Sequence, residues 1–328
     1  MPKQYKDPVN YSLTENDFAS PNYDNFLDGL TDVPASIPLQ PYSIDRAGIK
    51  EQFAYIKLRS LYETNEWVTV LANITMQVGL TGHRGIHMSR CEEALFSLLE
   101  TEHDSLDMFA VALAEKILVL QDSESAFVNV EGTYIHKRST IKSHKQSYDR
   151  MTMFAYAQAE KNHISKVQIG LAAFNMTGCP CTETFTKFAV VPQLKSAGFN
   201  LKEITKILDI TNSGTHTQRG LATIRIDKTD EAVTYEKIYD VLSKSCHLVY
   251  ELLKRPDEHE LVVRVLKNPQ FTEDVVRDII HHTIKILGVN LRQETRIFAS
   301  SQLYDSIHIH DVYTEIEKTY SELISEHE

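Results

Sequence analysis

The stretch from Glu66 to Leu80, EWVTVLANITMQVGL, constrains this chain most, because Val68, Val70, Ala72, Ile74, Met76 and Val78 recur at every second position. Period-2 alternation rich in β-branched residues places these side chains on one face of a long, half-buried strand. A strand of that kind needs an apolar layer laid across the same face. The chain supplies one soon afterwards: Leu95, Leu98 and Leu99, then Leu106, Phe109, Leu113 and Ile117, recur at helical spacing and predict two helices.

A similar succession returns further on. Residues 126–138 and 167–178 read as strands, 182–199 and 200–209 as shorter helices, and 221–227 as another strand. A long helix is expected over 234–254, with Ile238, Val241, Leu242, Val249, Leu252 and Leu253 on one face and Pro256 as its stop. Residues 271–288 predict a further helix ended by Gly288, followed by a strand over 289–300 and the segment SIHIH. Strands, two helices and more strands, occurring twice, suggest a pseudo-duplicated α+β unit. Residues 1–45, rich in Asn, Asp, Pro and Ser, read as an extended arm that wraps the body or a partner subunit, and 46–328 as one bimodular catalytic domain.

Composition narrows the function classes. The chain has 328 residues, 42% of them hydrophobic and 24% charged, enough for a sizeable core and ordinary for a globular protein. Its net charge of -11 repels polyanions and argues against a nucleic-acid partner, although a few converging cations can still hold a small phosphorylated ligand. The opening MPKQYKDPVN has no apolar run of signal-peptide type, and no stretch approaches the ~18 apolar residues of a spanning helix. The expectation is a cytoplasmic protein without membrane contact, whose Cys91, Cys179, Cys181 and Cys246 are thiols serving as ligands, nucleophiles or core.

Several residues have the chemistry of a site. Cys179-Pro180-Cys181 follows an apolar strand and a glycine, an arrangement suited to metal or thiolate chemistry, though shorter than a C-x-x-C knuckle. His216, in the loop GTHTQRG, is a candidate metal ligand or acid-base group, with Arg219 beside it as a phosphate-binding guanidinium. In LLKRPDEHE, Lys254 and Arg255 suit the negative end of a helix dipole, a purely structural reading that does not explain Glu258. A carboxylate near Cys and His would complete a mixed donor set with an open coordination position, as a hydrolytic metal requires. Asp305, His308 and His310 lie in DSIHIHD, and the two imidazoles share a face if the segment is extended. His281, His282 and Cys246 sit in helical patterns and read as structural.

Five separated blocks now carry a specific resemblance: RGIHMSR at 84–90, CPC at 179–181, THTQRG at 215–220, LLKRPDE with NPQFTEDVVRD within 252–278, and SIHIH at 306–310. In order and content they resemble the GTP cyclohydrolase family comprising the type IB and archaeal MptA enzymes. The resemblance implies a tunnelling fold, with antiparallel sheets and paired helices assembling into barrels as a homo-oligomer, a dimer or tetramer with active sites between subunits. It implies opening of the imidazole ring of GTP, release of formate and reclosure to a dihydropterin. It also implies one divalent metal per subunit, Fe(II) being favoured and Zn(II) or Mn(II) possible, on Cys179, His216 and Glu258. Cys181, His308, Asp305 and His310 are its implied catalytic groups, with Cys181 and Cys179 not ranked against each other. Glu273 resembles the residue that anchors the guanine edge, while Arg90, Arg219, Lys254 and Arg255 would neutralise the triphosphate and His87 would line the pocket. Asp305 departs from the family's usual Glu, which shortens the reach of that carboxylate by a methylene.

The long helical insertion between Cys181 and His216, and the form of RGIHMSR, favour the MptA branch and a 7,8-dihydroneopterin 2',3'-cyclic phosphate product. The type IB branch would instead make 7,8-dihydroneopterin triphosphate. Rivals of other classes are a tunnelling-fold nitrile reductase, which needs NADPH, and a non-catalytic assembly protein stabilised by a closed metal site.

Overall fold

A computed structural model of the chain describes residues 32–62, 66–249, 251 and 254–327. Most of the expected N-terminal arm therefore lies outside the described residues, and β1 (Ile44–Arg59) begins at the arm's last positions. It pairs antiparallel with β2 (Trp67–Leu80), the alternating run, whose Val70, Ala72, Ile74, Met76 and Val78 are all buried. Two helices follow, α1 (Met88–Leu99) and α2 (Leu106–Leu120), separated by the short β3 (Glu102–His103). The chain then returns through β4 (Ser125–Ser139) and β5 (Gln146–Glu160).

The second half repeats that order. After β6 (His163–Gly178) come three short helices, α3 (Pro180–Ala189), α4 (Val191–Ser196) and α5 (Leu201–Ile210), then β7 (Thr217–Asp227). Next stand α6 (Tyr235–Ser245), β8 (His247–Leu248), α7 (Arg255–Lys267) and α8 (Thr272–Leu287), and the chain closes with β9 (Arg296–Leu303), β10 (Val312–Thr319) and α9 (Tyr320–His327). The strands form one sheet in the order β10-β9-β7-β6-β5-β4-β2-β1-β3, with β8 added to β6. This is an α+β architecture, mostly antiparallel, in which each half contributes two strands, helices and two more strands.

Helices α1, α2, α6 and α8 pack on one face of the sheet. Phe109, Leu113 and Ile117 of α2 and Ile279 of α8 are fully buried there, against inward-facing residues such as Ile74, Val130, Met153, Leu171, Ile224 and Ala299. Phe53 and Tyr55 are exposed on the opposite face. Guanidinium groups cover aromatic rings along this face, Arg46 over Phe127 and Arg225 over Phe154, each at 4.2 Å. Among the described residues both sheet edges are largely unpaired, since β1 pairs with β3 only at Lys57 and Leu58.

Close strand approach makes one glycine indispensable. A Cβ at Gly170 in β6 would lie 2.3 Å from the carbonyl oxygen of Ile224 and 3.0 Å from the Cα of Arg225 on β7. The nearest obstructing atom is a backbone carbonyl, so Gly170→Ala must displace a central strand pair. A loss of ~1–3 kcal/mol is expected, of the size that overpacking costs, read as a lower denaturant midpoint at unchanged slope.

Three expectations about elements are corrected. The helix expected over 234–254 stops at Ser245, because Cys246 turns to extended backbone (φ -146°, ψ 166°) and His247 and Leu248 pair with Met176 and Asn175. Its Leu252 and Leu253 lie outside the described residues. Pro256 starts α7 instead of stopping a helix, a position where its missing N–H costs nothing. Lys254 and Arg255 thus stand at a helix N-terminus, and the expected favourable dipole at a C-terminus does not apply to them. Finally, the strand expected over 289–300 begins at Arg296, after a 3-10 turn at Gly288–Asn290.

Candidate active site

Strand pairing assembles the site at one end of the sheet. Gly178, the last residue of β6, pairs with Thr217, the first of β7, so the flanking Cys179 and His216 become neighbours although 37 residues apart in sequence. The Cys179 N–H donates to the His216 carbonyl at 3.2 Å, and the Thr215 hydroxyl donates to the Cys179 carbonyl at 2.7 Å. Cys179 caps α3: its Sγ accepts from the Thr182 N–H at 3.5 Å, with Pro180 at the first helical position. Cys179 is half-buried, Cys181 is exposed, and all four cysteines are free thiols. Cys246 is buried as expected, and burial pushes its thiol up to about 12.

β9 ends at the same place, next to β7, and delivers the loop 304–311. The Tyr304 N–H donates to the Arg219 carbonyl at 2.9 Å, and the Arg219 guanidinium lies between the rings of Phe174 and Tyr304 at 5.3 and 5.6 Å. Residues 306–310 are bent instead of extended, yet His308 and His310 still stack at 5.4 Å between ring centroids. The reason is Asp305. Its Oδ1 accepts from the Ile307 N–H (2.8 Å) and the His308 N–H (3.0 Å) and lies 3.2 Å from His308 Nδ1. These bonds, led by that from Ile307, bring its carboxyl down to about 2. In this structure the shorter carboxylate of Asp305 folds the loop.

α7 arrives at this end through a second carboxylate. Asp257 is buried, and its oxygens accept from the Lys142 N–H (2.9 Å), the Ser143 N–H (3.0 Å), the Ser143 hydroxyl (2.5 Å) and the Lys254 N–H (3.2 Å). Burial works to raise its pKa, but these bonds win and hold the carboxyl well below the usual range. Asp257 thereby staples the first turn of α7, with exposed Lys254, Arg255 and Glu258, to the β4–β5 turn. Glu273, also exposed, stands in the first turn of α8, which the Thr272 hydroxyl anchors to the Ser301 carbonyl at 2.9 Å. Asp257→Asn replaces one accepting oxygen by an amide that meets donors. The expected outcome is a lower Tm and a several-fold higher KM for the substrate with a smaller change in kcat, checked by steady-state kinetics.

His87 and Arg90 are not part of this assembly within one subunit. They follow the far end of β2, where Leu80 pairs with Ile44, whereas Gly178 and Thr217 close the opposite end. The fourteen residues of β2 alone span about 45 Å at ~3.3 Å each. Here His87 Nε2 lies 2.8 Å from Asp32, Arg90 donates to the Leu120 carbonyl at 3.1 Å, and both line a cavity of about 530 Å³ together with His83 and Lys161.

The donor chemistry of Cys179, His216, Glu258 and the Asp305–His310 loop suits a divalent metal. Among the described residues, however, no three His, Cys, Asp or Glu side chains converge closely enough to hold one. Two donors, Cys179 and His216, are placed side by side in the chain trace, and the others stand around them at the same sheet end. Sequence reasoning passed over the residues that support them, Gln218, Thr215 and Asp257. Gln218 had a usable signal, lying two positions after His216 at the start of a strand.

A further buried group of titratable side chains sits on β4 and β5. His136 packs against Tyr62 and Tyr239 at 4.2 and 5.2 Å, and burial pushes its imidazole down to about 4. Burial pushes the carboxyl of Asp149 up to about 6, against the pull of Arg138 at 3.1 Å. The fold thus prefers neutral His136, whose stabilisation is complete above its ordinary 6.5 and is lost as pH falls towards 4. Asp149 acts in the opposite sense, destabilising above about 6 and relieved as pH drops towards 3.8. His136→Phe removes the first effect and leaves the second. Its Tm relative to the parent chain is expected to rise between pH 7 and pH 5, as measured by thermal melts at both.

An α+β chain that gathers thiol, imidazole, carboxylate and guanidinium groups at one sheet end has the layout of a ligand-processing enzyme. Comparison with known proteins specifies which. Residues 30–314 match the family described as type I GTP cyclohydrolase folE2. GTP cyclohydrolase MptA of Methanococcus aeolicus is 31% identical over 307 residues, covering 90% of this chain and 98% of that protein. The MptA of Methanococcus maripaludis is 30% identical over 308 residues, with 90% and 97% covered. The chain belongs to the type I GTP cyclohydrolase folE2 family and is an enzyme of the MptA/folE2 type. Among solved structures, it is similar to a uricase from Arthrobacter globiformis, with a TM-score of 0.43 at 11% identity over 87% of this chain and 94% of that one. A uricase from Bacillus fastidious gives 0.44 at 9% identity, over 88% and 97%. No helix among the described residues is long and apolar enough to cross a membrane.

Proposed function

We propose that the chain opens the imidazole ring of GTP, releases C8 as formate and two of the three phosphates as diphosphate, and forms 7,8-dihydroneopterin 2',3'-cyclic phosphate, a first step of pterin biosynthesis in the cytoplasm. The observation that carries this reading is the placement of Cys179, His216, Arg219 and the 304–311 loop at one sheet end, in a chain similar to MptA over nine-tenths of its length. Arg219, Lys254 and Arg255 would bind the triphosphate, and Glu273 would accept the N–H groups of the guanine edge. His308, beside His310 and held by Asp305, would protonate the ring nitrogen released from C8, with Cys181 lining the same space. Cys179, His216 and Glu258 would hold a divalent metal, Fe(II) being favoured, which supplies an acidified water at neutral pH.

His87 and Arg90 support a tunnelling-fold oligomer in this reading. Standing one strand length from Cys179, they can serve the same site only from a second copy, and the two sheet edges, largely unpaired among the described residues, offer surfaces for such association.

Incubation of the chain with GTP and Fe(II), Mn(II) or Zn(II), followed by formate assay and pterin identification with and without phosphatase, tests the proposal. Formate together with a cyclic phosphate resistant to monoesterase is expected. No formate with any of the three metals would overturn the activity, and a monoesterase-sensitive triphosphate product would move the chain to the type IB reaction.

A further inference from the structure

The environment of His216 is more specific than its motif requires. His216 is half-buried, and its Nδ1 lies 3.0 Å from Oε1 of Gln218, two positions along the same strand face. Gln218 is itself buried, and its Nε2 donates to the hydroxyl of Thr177 at 3.0 Å. Thr177 is fully buried on β6 and is the residue directly opposite Gln218 in the β6–β7 register. The amide is therefore held between a fixed hydroxyl on one strand and the imidazole on the other. With the amide nitrogen donating to Thr177, the end facing His216 is an oxygen, which accepts and cannot donate. The hydroxyl of Ser306, 3.4 Å from the same Nδ1, is the other polar group there and can also act as acceptor.

We propose that Gln218 is a positioning residue that selects the tautomer of His216, keeping the proton on Nδ1 and the lone pair on Nε2. A neutral imidazole has one donor and one acceptor nitrogen, and the hydrogen bond at one nitrogen decides what the other can do. In the selected form Nε2 is free to bind a metal or take a proton, and the ring is held at a defined angle by a buried strand pair. The chain thus has an amide where many metal-binding histidines have a carboxylate partner, with the same geometric effect and no added negative charge. The inference deepens the proposed function, since it concerns the group assigned there to the metal, but it is a property of the chain before any metal or substrate binds.

The test is ¹⁵N NMR of histidine-labelled, metal-free protein at a pH where His216 is neutral, with its signals assigned by their loss in His216→Gln. The parent chain is expected to show the Nδ1–H tautomer. Gln218→Glu, which keeps an accepting oxygen, should retain it, whereas Gln218→Leu should shift to Nε2–H. Binding of Co(II), followed by its absorption bands, should weaken by about 10–100-fold in Gln218→Leu, the usual cost of losing such a support, and far less in Gln218→Glu. An Nε2–H tautomer in the parent chain would mean that the amide is turned the other way and would overturn the proposal even if Gln218→Leu failed to fold. Retention of Nδ1–H in a folded Gln218→Leu would also overturn it. Failure of GTP ring opening with the Nδ1–H tautomer present would count against the proposed function and leave this inference standing.

Discussion

His216→Ala is expected to lower kcat/KM for GTP by on the order of 10²–10⁴-fold, the range a positioned acid-base or ligand group contributes. The expectation follows from the placement of the side chain. His216 lies at the junction of two strands whose pairing also delivers Cys179, and its ring is tied to Gln218 rather than free in solvent. Truncation removes the imidazole without disturbing the backbone bond between the His216 carbonyl and the Cys179 N–H, because that bond uses main-chain atoms. The fold should therefore persist, with Tm little changed. Cys179→Ala should give a loss of similar size, and the double variant should lose far less than the product of the two, since groups that act as one unit are not additive. Full activity and undiminished metal binding in either single variant would remove the assignment of this site.

Phe109→Ala should have the largest effect on stability. Phe109 is fully buried on α2, beneath the strands of the first half, with the ring of His103 edge-on at 5.1 Å. Its removal leaves a cavity among Leu106, Leu113 and the inward residues of β4 and β5, for a loss of ~3–5 kcal/mol. That is a large part of the ~5–15 kcal/mol by which a domain is ordinarily stable. Chemical denaturation at neutral pH measures it. A loss below about 1 kcal/mol would show that the helix layer does not depend on this ring.

The strength of local signals decided what could be read in advance. β2 was plain because its buried positions are β-branched or long apolar residues. β5 escaped because its inward positions are Met151, Met153, Ala155, Ala157 and Ala159, residue types with weak strand preference. β1 escaped similarly, with a bulge near Glu51 at φ 59° interrupting its alternation. The segment after Ser245 differs because Cys246, His247 and Leu248 are buried in succession, and so short a run without alternation does not choose between helix and strand.

Pro256 marked a helix boundary correctly but on the wrong side. Proline tolerates the first turn of a helix as readily as it ends one, and only the bonds of Asp257 to Lys142, Ser143 and Lys254 decide between the two.

By itself, the order of amino acids determined the α+β class, the repeated succession of elements and the chemical types gathered in five motifs, because periodicity and short-range chemistry are local properties of a chain. Tertiary structure alone decided which motifs meet. The β6–β7 register joins Cys179 to His216, the neighbouring β9 brings Asp305 and His308, and the length of β2 holds His87 and Arg90 at the other end. The physical reason is that strand pairing is a contact between distant segments, set by which faces must be buried together, and no window of neighbouring residues contains that information.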